Sequence, residues 1–256
     1  MLHVGTFTPS VLLRVARRTG RLITEVDEVP VASSPAQFAA LADGSLDAAL
    51  TSPDNVLRHR GTIDVRVLSA IDQGMGLALY SRLEPAELRG KTFGVDVPTS
   101  GFALAMYAIA ESLGLTRDDY ELVALGSTPK RLTALRDGRC AATMLNAGNE
   151  LHAEAAGFRV LGRAPQPYLG TVLVSRTDQD ALAEALTATA AAICDRELDD
   201  EVIDEARTAL RLTDELAARY LDRLTSPTEG LVRDGRVDPA AMATIEDLRR
   251  RYGTPS

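Results

Sequence analysis

From Met1 to Ser175, short apolar runs bounded by turn residues alternate with stretches in which apolar positions recur every three or four residues. The runs predict strands at Leu2 to Thr6, Ile23 to Val31, Ala48 to Thr51, Val65 to Ala70, Leu77 to Tyr80, Thr92 to Val95, Leu122 to Leu125, Ala141 to Leu145, Val160 to Leu161 and Thr171 to Ser175. The helical periodicity predicts helices at Val11 to Thr19, Pro35 to Asp43, Pro53 to Arg60, Ala103 to Leu113, Pro129 to Asp137 and Asn149 to Ala156. Alternation of this kind marks βαβ units and mainly parallel sheets. After Ser175 the pattern becomes helical only, at Gln179 to Asp195, Asp200 to Leu210, Thr213 to Leu224 and Pro239 to Tyr252. The last stretch opens with Asp238-Pro239, an N-cap followed by proline at the first helical position.

The plan is used twice. Val29 to Leu57 reappears as Val123 to Leu151 at a constant offset of 94, matching Ser33/Ser127, Pro35/Pro129, Ala40-Leu41/Ala134-Leu135, Asp43-Gly44/Asp137-Gly138, Ala48/Ala142 and Asn55/Asn149. With the offset loosened, His3 to Ser10 (HVGTFTPS) lies over Phe93 to Ser100 (FGVDVPTS). A repeat this long exceeds a solenoid unit and suits half of a two-lobed protein, whose cleft is the expected ligand site. The expected lobes are residues 1–80 with 171–256, and residues 84–169, with hinge crossings near 75–83 and 170–176. The helical tail is expected to form a C-terminal layer on the first lobe.

Composition narrows the function. The 256 residues are 45% apolar, with 36 Asp and Glu against 28 Lys and Arg and no basic stripe interleaved with aromatics, so nucleic acid is not an expected partner. Cys140 and Cys194 have no metal-ligand spacing and read as small buried hydrophobes. His3, His59 and His152 form no local motif, and no metal site is expected. GxGxxG and GxxxxGK[ST] are both absent, and no cofactor is expected. No run approaches the roughly 18 apolar residues of a membrane span. Met1 leads straight into LHVGTF without a signal-like segment, so the expectation for the chain as written is a cytoplasmic location without membrane insertion, and a periplasmic or extracellular one only for a chain from which an N-terminal signal was removed.

Several segments are similar to a known group. Leu88-Arg89-Gly90-Lys91, Thr99-Ser100-Gly101, Ala134-Leu135-Arg136-Asp137-Gly138, Ala40 to Ala49 and the closing DGRVDPAAMATIEDLRRRYGTP together resemble the type II periplasmic binding proteins of the nitrate/sulfonate/taurine and thiamine-precursor, SsuA-like group. The likeness spans nearly the whole chain. Arg139-Cys140-Ala141 departs from it, because that group usually keeps an Asp before the Ala. The resemblance implies an α/β, two-lobed type II periplasmic-binding-protein-like fold that closes over a small-molecule ligand, with an ABC permease as partner for an exported chain. The wider fold group also includes cytosolic dehydratases and decarboxylases, so a lyase acting on a small carboxylate-bearing metabolite is the alternative. A cytosolic ligand sensor is a third reading.

In open parallel α/β sheets, ligands meet the carboxyl ends of strands and the amino ends of the following helices. That rule selects Thr6, Phe7 and Thr8; Thr51, Ser52 and Asn55; Thr99, Ser100, Gly101 and Phe102; and Asn146 and Gly148 as ligand-binding candidates. The same hydroxyl and amide residues are favoured helix caps. Asp96, Asp54 and Asp72 are the candidate proton-transfer groups for the enzyme alternative. No arginine is expected in these turns, and Lys130 is the nearest basic candidate.

Overall fold

Two five-stranded sheets of one plan organise the chain, and each takes its strands from separated stretches of sequence. A computed structural model describes residues 1–253. In the first sheet β2 (Val26–Pro30), β1 (Leu2–Thr6), β3 (Ala48–Thr51), β10 (Thr171–Ser175) and β4 (Arg66–Asp72) lie side by side in that order. In the second, the order is β7 (Tyr120–Ala124), β6 (Lys91–Val95), β8 (Ala142–Leu145), β5 (Ala78–Ser81) and β9 (Arg159–Arg163). Each sheet has one antiparallel strand, β10 or β5, between strands that run the other way. By contacts the chain divides into a first unit, Met1–Met75 with Leu169–Pro239, and a second, Gly76–Tyr168 with the chain from Ala240 on.

The two segments expected as crossings are also expected as strands, and both are paired in sheets. Leu77 to Tyr80, expected at the end of the first lobe, pairs through β5 with β8 and β9 of the second sheet. The strand expected from Ile23 is confined to Val26–Pro30, because β1 begins at Leu2 opposite Val26 and Ile23 is 88% exposed. Val160 to Leu161 widens to the edge strand β9, and the strand expected from Ala141 begins at Ala142.

In the first unit, β3 is buried at every residue, flanked by α2 (Ser34–Asp43) and α3 (Pro53–His59). Helix α1 (Val11–Arg18) turns Val11, Leu12, Leu13, Val15 and Ala16 inward and packs on α7 (Asp180–Cys194) and α8 (Asp199–Leu210), with α9 (Asp214–Leu224) against α8. In the second unit, α4 (Gly101–Ser112) is apolar nearly all round and buries eight of its twelve residues, as a core helix does. Helices α5 (Thr128–Arg136) and α6 (Asn149–Ala155) repeat α2 and α3. Helix α10 (Pro239–Tyr252) was expected on the first lobe, but it groups with the second unit from Ala240 on. Its Tyr252 ring lies 6.2 Å from that of Tyr107, and Arg251 pairs with Glu111 at 3.1 Å.

The repeated Asp-Gly stops work as helix ends in both copies. Gly44 (φ 81°) and Gly138 (φ 71°) take the left-handed conformation that glycine adopts without steric cost. A second glycine pair answers to packing. A Cβ on Gly5 would meet Leu46 Cδ1 at 2.6 Å, and one on Gly94 would meet Leu125 Cδ1 at 2.8 Å and Cys140 Sγ at 3.0 Å. Leu46 and Cys140 are themselves equivalent in the repeat. Strand pairing aligns Gly5 with Val29 and Ala49, and Gly94 with Val123 and Thr143, so the two first strands superpose glycine on glycine, one residue away from the register in which HVGTFTPS lies over FGVDVPTS.

Candidate functional site

The carboxyl edge of the first sheet is a set of short turns tied down by hydrogen bonds. Ser10 caps α1 by accepting from Leu13 N at 3.3 Å. Thr6 is buried and its hydroxyl donates to Glu28 Oε1 at 3.1 Å, the oxygen that also accepts from Ser10 N at 2.6 Å. Arg14 Nε holds the other oxygen of Glu28 at 2.7 Å. Thr6 is thus committed to a local carboxylate, while Phe7 and Thr8, in the turn beside it, are half-buried. After β3, Ser52 caps α3 by accepting from Asp54 N at 3.2 Å, and Asn55 Nδ2 donates back to Thr51 Oγ1 at 3.0 Å. Thr51, Asp54 and Asn55 are buried and Ser52 is half-buried.

The second sheet has the corresponding edge with different chemistry. Ser100 caps α4, accepting from Ala103 N at 3.1 Å and donating its own proton to Asp96 Oδ1. Gly101 is buried in the first turn of α4, Phe102 is half-buried, and the Thr99 carbonyl accepts from Arg249 of α10 at 3.4 Å. Beyond β8 the chain turns through Asn146, Ala147 (φ 53°) and Gly148 (φ 87°) into α6. Asn149 Nδ2 donates to Asn146 O at 3.1 Å, just as Asn55 folds back onto Thr51, so the recurring asparagine locks the turn in both copies.

The three candidate acids have different surroundings. Asp54 is fully buried in the first turn of α3. Asp96 is half-buried and fastened to Ser100. Asp72, at the end of β4, accepts from Gly74 N at 2.8 Å and Met75 N at 3.3 Å. Burial pushes the Asp72 carboxyl above its ordinary value, partly offset by the Thr171 hydroxyl and by the Gly74 and Met75 amides. Gly170 passes so close that a Cβ there would lie 2.2 Å from Asp72 Oδ1. Asp72 is accordingly the pin of the loop that leaves β4.

Near the edge of the second sheet lies an arginine that the four turns did not include. Lys130 is exposed, whereas Arg131, the next residue of α5, is fully buried. Its Nε donates to Met144 O at 3.2 Å, its Nη1 to Gly126 O at 2.6 Å and its Nη2 to Thr128 Oγ1 at 3.0 Å. Burial pushes the guanidinium below its ordinary range, and the charges of Asp96 and Cys140 pull it back up. The constant offset carries a signal for it, because Arg131 stands where the first copy has Gln37, also fully buried. Glu28 and Glu150, a fully buried residue of α6, also escape a reading based on turns.

Other chemistry is sparse among the described residues. No group of three His, Cys, Asp or Glu is placed to hold a metal ion, and no helix is long and apolar enough to cross a membrane. Cys140 is a buried free thiol, pushed by burial up to about 11, and burial likewise raises Cys194. Ser34 Oγ and His59 Nε2 approach to 3.4 Å, but His59 is stacked on Phe38 with ring centroids 4.2 Å apart.

No family model and no curated protein matches this chain. Among solved structures, the alkanesulfonate-binding protein SsuA from Xanthomonas axonopodis pv. citri, bound to MOPS, matches with a TM-score of 0.79 at 17% identity, over 100% of this chain and 94% of that one. The ligand-binding component of an ABC-type import system from Staphylococcus aureus, with zinc bound, matches with a TM-score of 0.79 at 14% identity, over 100% and 94%. A conserved Candida albicans protein exhibiting the generic periplasmic binding protein structural fold matches with a TM-score of 0.73 at 14% identity, over 99% and 90%. At such identities the likeness is one of architecture, and the chain has the α/β periplasmic-binding-protein fold.

Proposed function

We infer that this chain is a solute-binding protein for one small molecule. The observation that carries this reading is the repeated edge itself. Three strands end in a turn whose serine caps the following helix, Ser10 and Ser52 in the first unit and Ser100 in the second. Free amides at helix amino ends, hydroxyls and the Asn146 side chain supply the few placed hydrogen bonds that such a site needs. The half-buried Phe7 and Phe102 add apolar surface beside them. The fold is shared with a protein named for binding alkanesulfonates and with one named as the ligand-binding component of an import system. Both names are consistent with a binding role and with a permease as partner.

The test is native mass spectrometry of freshly purified protein, followed by identification of any small molecule released on unfolding. The expected result is one molecule bound per chain and recovered unchanged after incubation. Conversion of that molecule to a product would overturn the binding reading in favour of the lyase alternative.

A further inference from the structure

Beyond α9 the chain folds back on the end of that helix and borders a cavity of about 370 Å³ within the first unit. The fold-back needs glycine at position 230, where a Cβ would lie 2.4 Å from Leu224 O, 2.6 Å from Ser226 O and 2.7 Å from Arg223 O. Gly230 N donates to Ser226 O and Leu231 N to Leu224 O, both at 2.9 Å, which closes the turn. Leu231 then bridges to Asp72 and Val232 N donates to Ile71 O at 2.9 Å, so the returning segment lies along the edge strand β4. A wall tied down at this many points is pre-organised, as ligand pockets are.

The wall combines apolar surface with hydrogen-bonding groups that the fold does not use up. Leu231 is buried, and Val232 and Cys194, the last residue of α7, are half-buried. Gln73 spends its main-chain N–H on Gly230 O at 2.9 Å and its Nε2 on Pro227 O at 3.2 Å, which leaves its Oε1 as an acceptor. Ser226 Oγ accepts from Thr228 N at 3.4 Å and lies 3.3 Å from Thr228 Oγ1. Its own proton is therefore available when the Thr228 hydroxyl donates.

The charges at the wall are already matched. Helices α7 and α9 both end here, at the C-caps Asp195 and Thr225, and a helix carboxyl end carries negative potential. A guanidinium meets each end. Arg233 donates to both oxygens of Asp195, and Arg196 donates to Thr225 Oγ1 at 3.3 Å and pairs with Asp222 at 3.4 Å. An anion would face two helix carboxyl ends, and a cation would have to displace an arginine from its carboxylate. A neutral molecule leaves both pairs intact.

We propose that this cavity is a small-molecule site for a neutral compound with a compact apolar body, placed against Leu231 and Val232, and one amide or hydroxyl group between Gln73 Oε1 and Ser226 Oγ. At about 30 Å³ of liquid volume for each non-hydrogen atom, the cavity has room for about ten of them. The site is separate from the solute-binding reading, because its wall shares no residue with the ligand-binding candidates of the strand-end turns.

Cys194 supplies the reporter. Alkylation of Cys194 by iodoacetamide is followed on the full chain by peptide mass spectrometry, with benzamide and benzyl alcohol as neutral probes and benzoate and benzylammonium as charged counterparts at constant ionic strength. The neutral probes are expected to slow alkylation along a saturable curve, by at least about threefold at the plateau. The charged probes are expected to need at least about tenfold higher concentrations for the same effect. Ser226→Ala is expected to weaken benzamide about fivefold without changing the alkylation rate of the free protein. Val232→Trp, which fills the cavity, is expected to abolish benzamide binding in a calorimetric titration. No protection, or protection that rises without saturating, overturns the proposal, and equal protection by all four probes overturns its ligand class. Benzamide binding that survives Val232→Trp lies elsewhere and overturns the site. If Val232→Trp does not fold, the wild-type curves and Ser226→Ala decide.

Discussion

The two units use one scaffold with a neutral side chain at one station in the first and a charged one in the second. In the first, α2 is tied to β3 by the amide of Gln37, and the acids nearby are buried or locally satisfied: Glu28 by Thr6, Ser10 and Arg14, and Asp54 by enclosure. In the second, α5 is tied to β8 by the guanidinium of Arg131. The lesson is that a repeat separates what a residue does for the fold from what it adds beyond it. Bonding to the strand carbonyl is common to both copies and is structural, whereas the charge is confined to one copy.

The largest effect is expected where the backbone itself leaves no room. In Gly170→Ala the new Cβ would fall 2.7 Å from Gly74 Cα and 2.8 Å from Gly74 N, backbone atoms that cannot rotate aside. The loss should be about 3 kcal/mol or more in urea-unfolding free energy. An unchanged midpoint would mean that the loop after Asp72 is free to move.

Next comes a comparison of equivalent glycines. In Gly5→Ala the clash is with Leu46 Cδ1, the end of a flexible side chain. In Gly94→Ala three neighbours crowd the new atom, Leu125, Cys140 and Thr143, and the last is already bonded to Gly94 O at 2.7 Å. Gly94→Ala should cost about 1–3 kcal/mol and Gly5→Ala distinctly less. The reverse order in thermal denaturation would show that the second unit's core adapts more readily than the first's.

The two serine caps sharpen the contrast at the edge. Ser10→Ala removes a cap but keeps the backbone amide that holds Glu28. Ser100→Ala removes a cap and also strips Asp96 of its hydroxyl donor. Each should cost about 1 kcal/mol for the cap, with Ser100→Ala the more damaging by a few tenths. Equal losses would mean that the Ser100–Asp96 bond adds nothing to stability.

The smallest effect is a pH dependence. Because burial holds the Asp72 carboxyl above its ordinary 3.8, the folded chain binds this proton more tightly than the unfolded chain does. The contribution of this group therefore favours folding at low pH and is lost as pH rises from 3.8 through the raised folded value. Asp72→Asn keeps an acceptor for Gly74 and Met75 while removing the titration, so the urea midpoint of the variant should gain on the wild type across that window. A constant difference between the two would show that Asp72 titrates normally.

Much of the fold was legible because its signals are local. Pro-led helix starts, Asp-Gly stops and short apolar runs each reflect the conformational needs of a few adjacent residues, and Thr171–Ser175, Ala48–Thr51 and Pro239–Tyr252 fall where the pattern puts them. Caps were legible for the same reason, as Ser52 and Ser100 show. Arg131 was not legible, because an arginine one turn into a helix reads as a solvated residue until its burial is known. Thr6 looked like an edge hydroxyl, since the Glu28 that engages it comes from a strand 22 residues away.

By itself the sequence determined the repeat, the alternation of strand and helix, and the turns at the strand ends, since these depend on steric preferences and periodicity within short windows. The tertiary structure alone decided three further features: that β5 and β10 enter the sheets as antiparallel strands, that α10 joins the second unit, and that Arg131 is buried without a carboxylate in contact. Each is settled by pairing or enclosure between residues far apart in the chain, where competing partners differ in what they bury and not in local conformation.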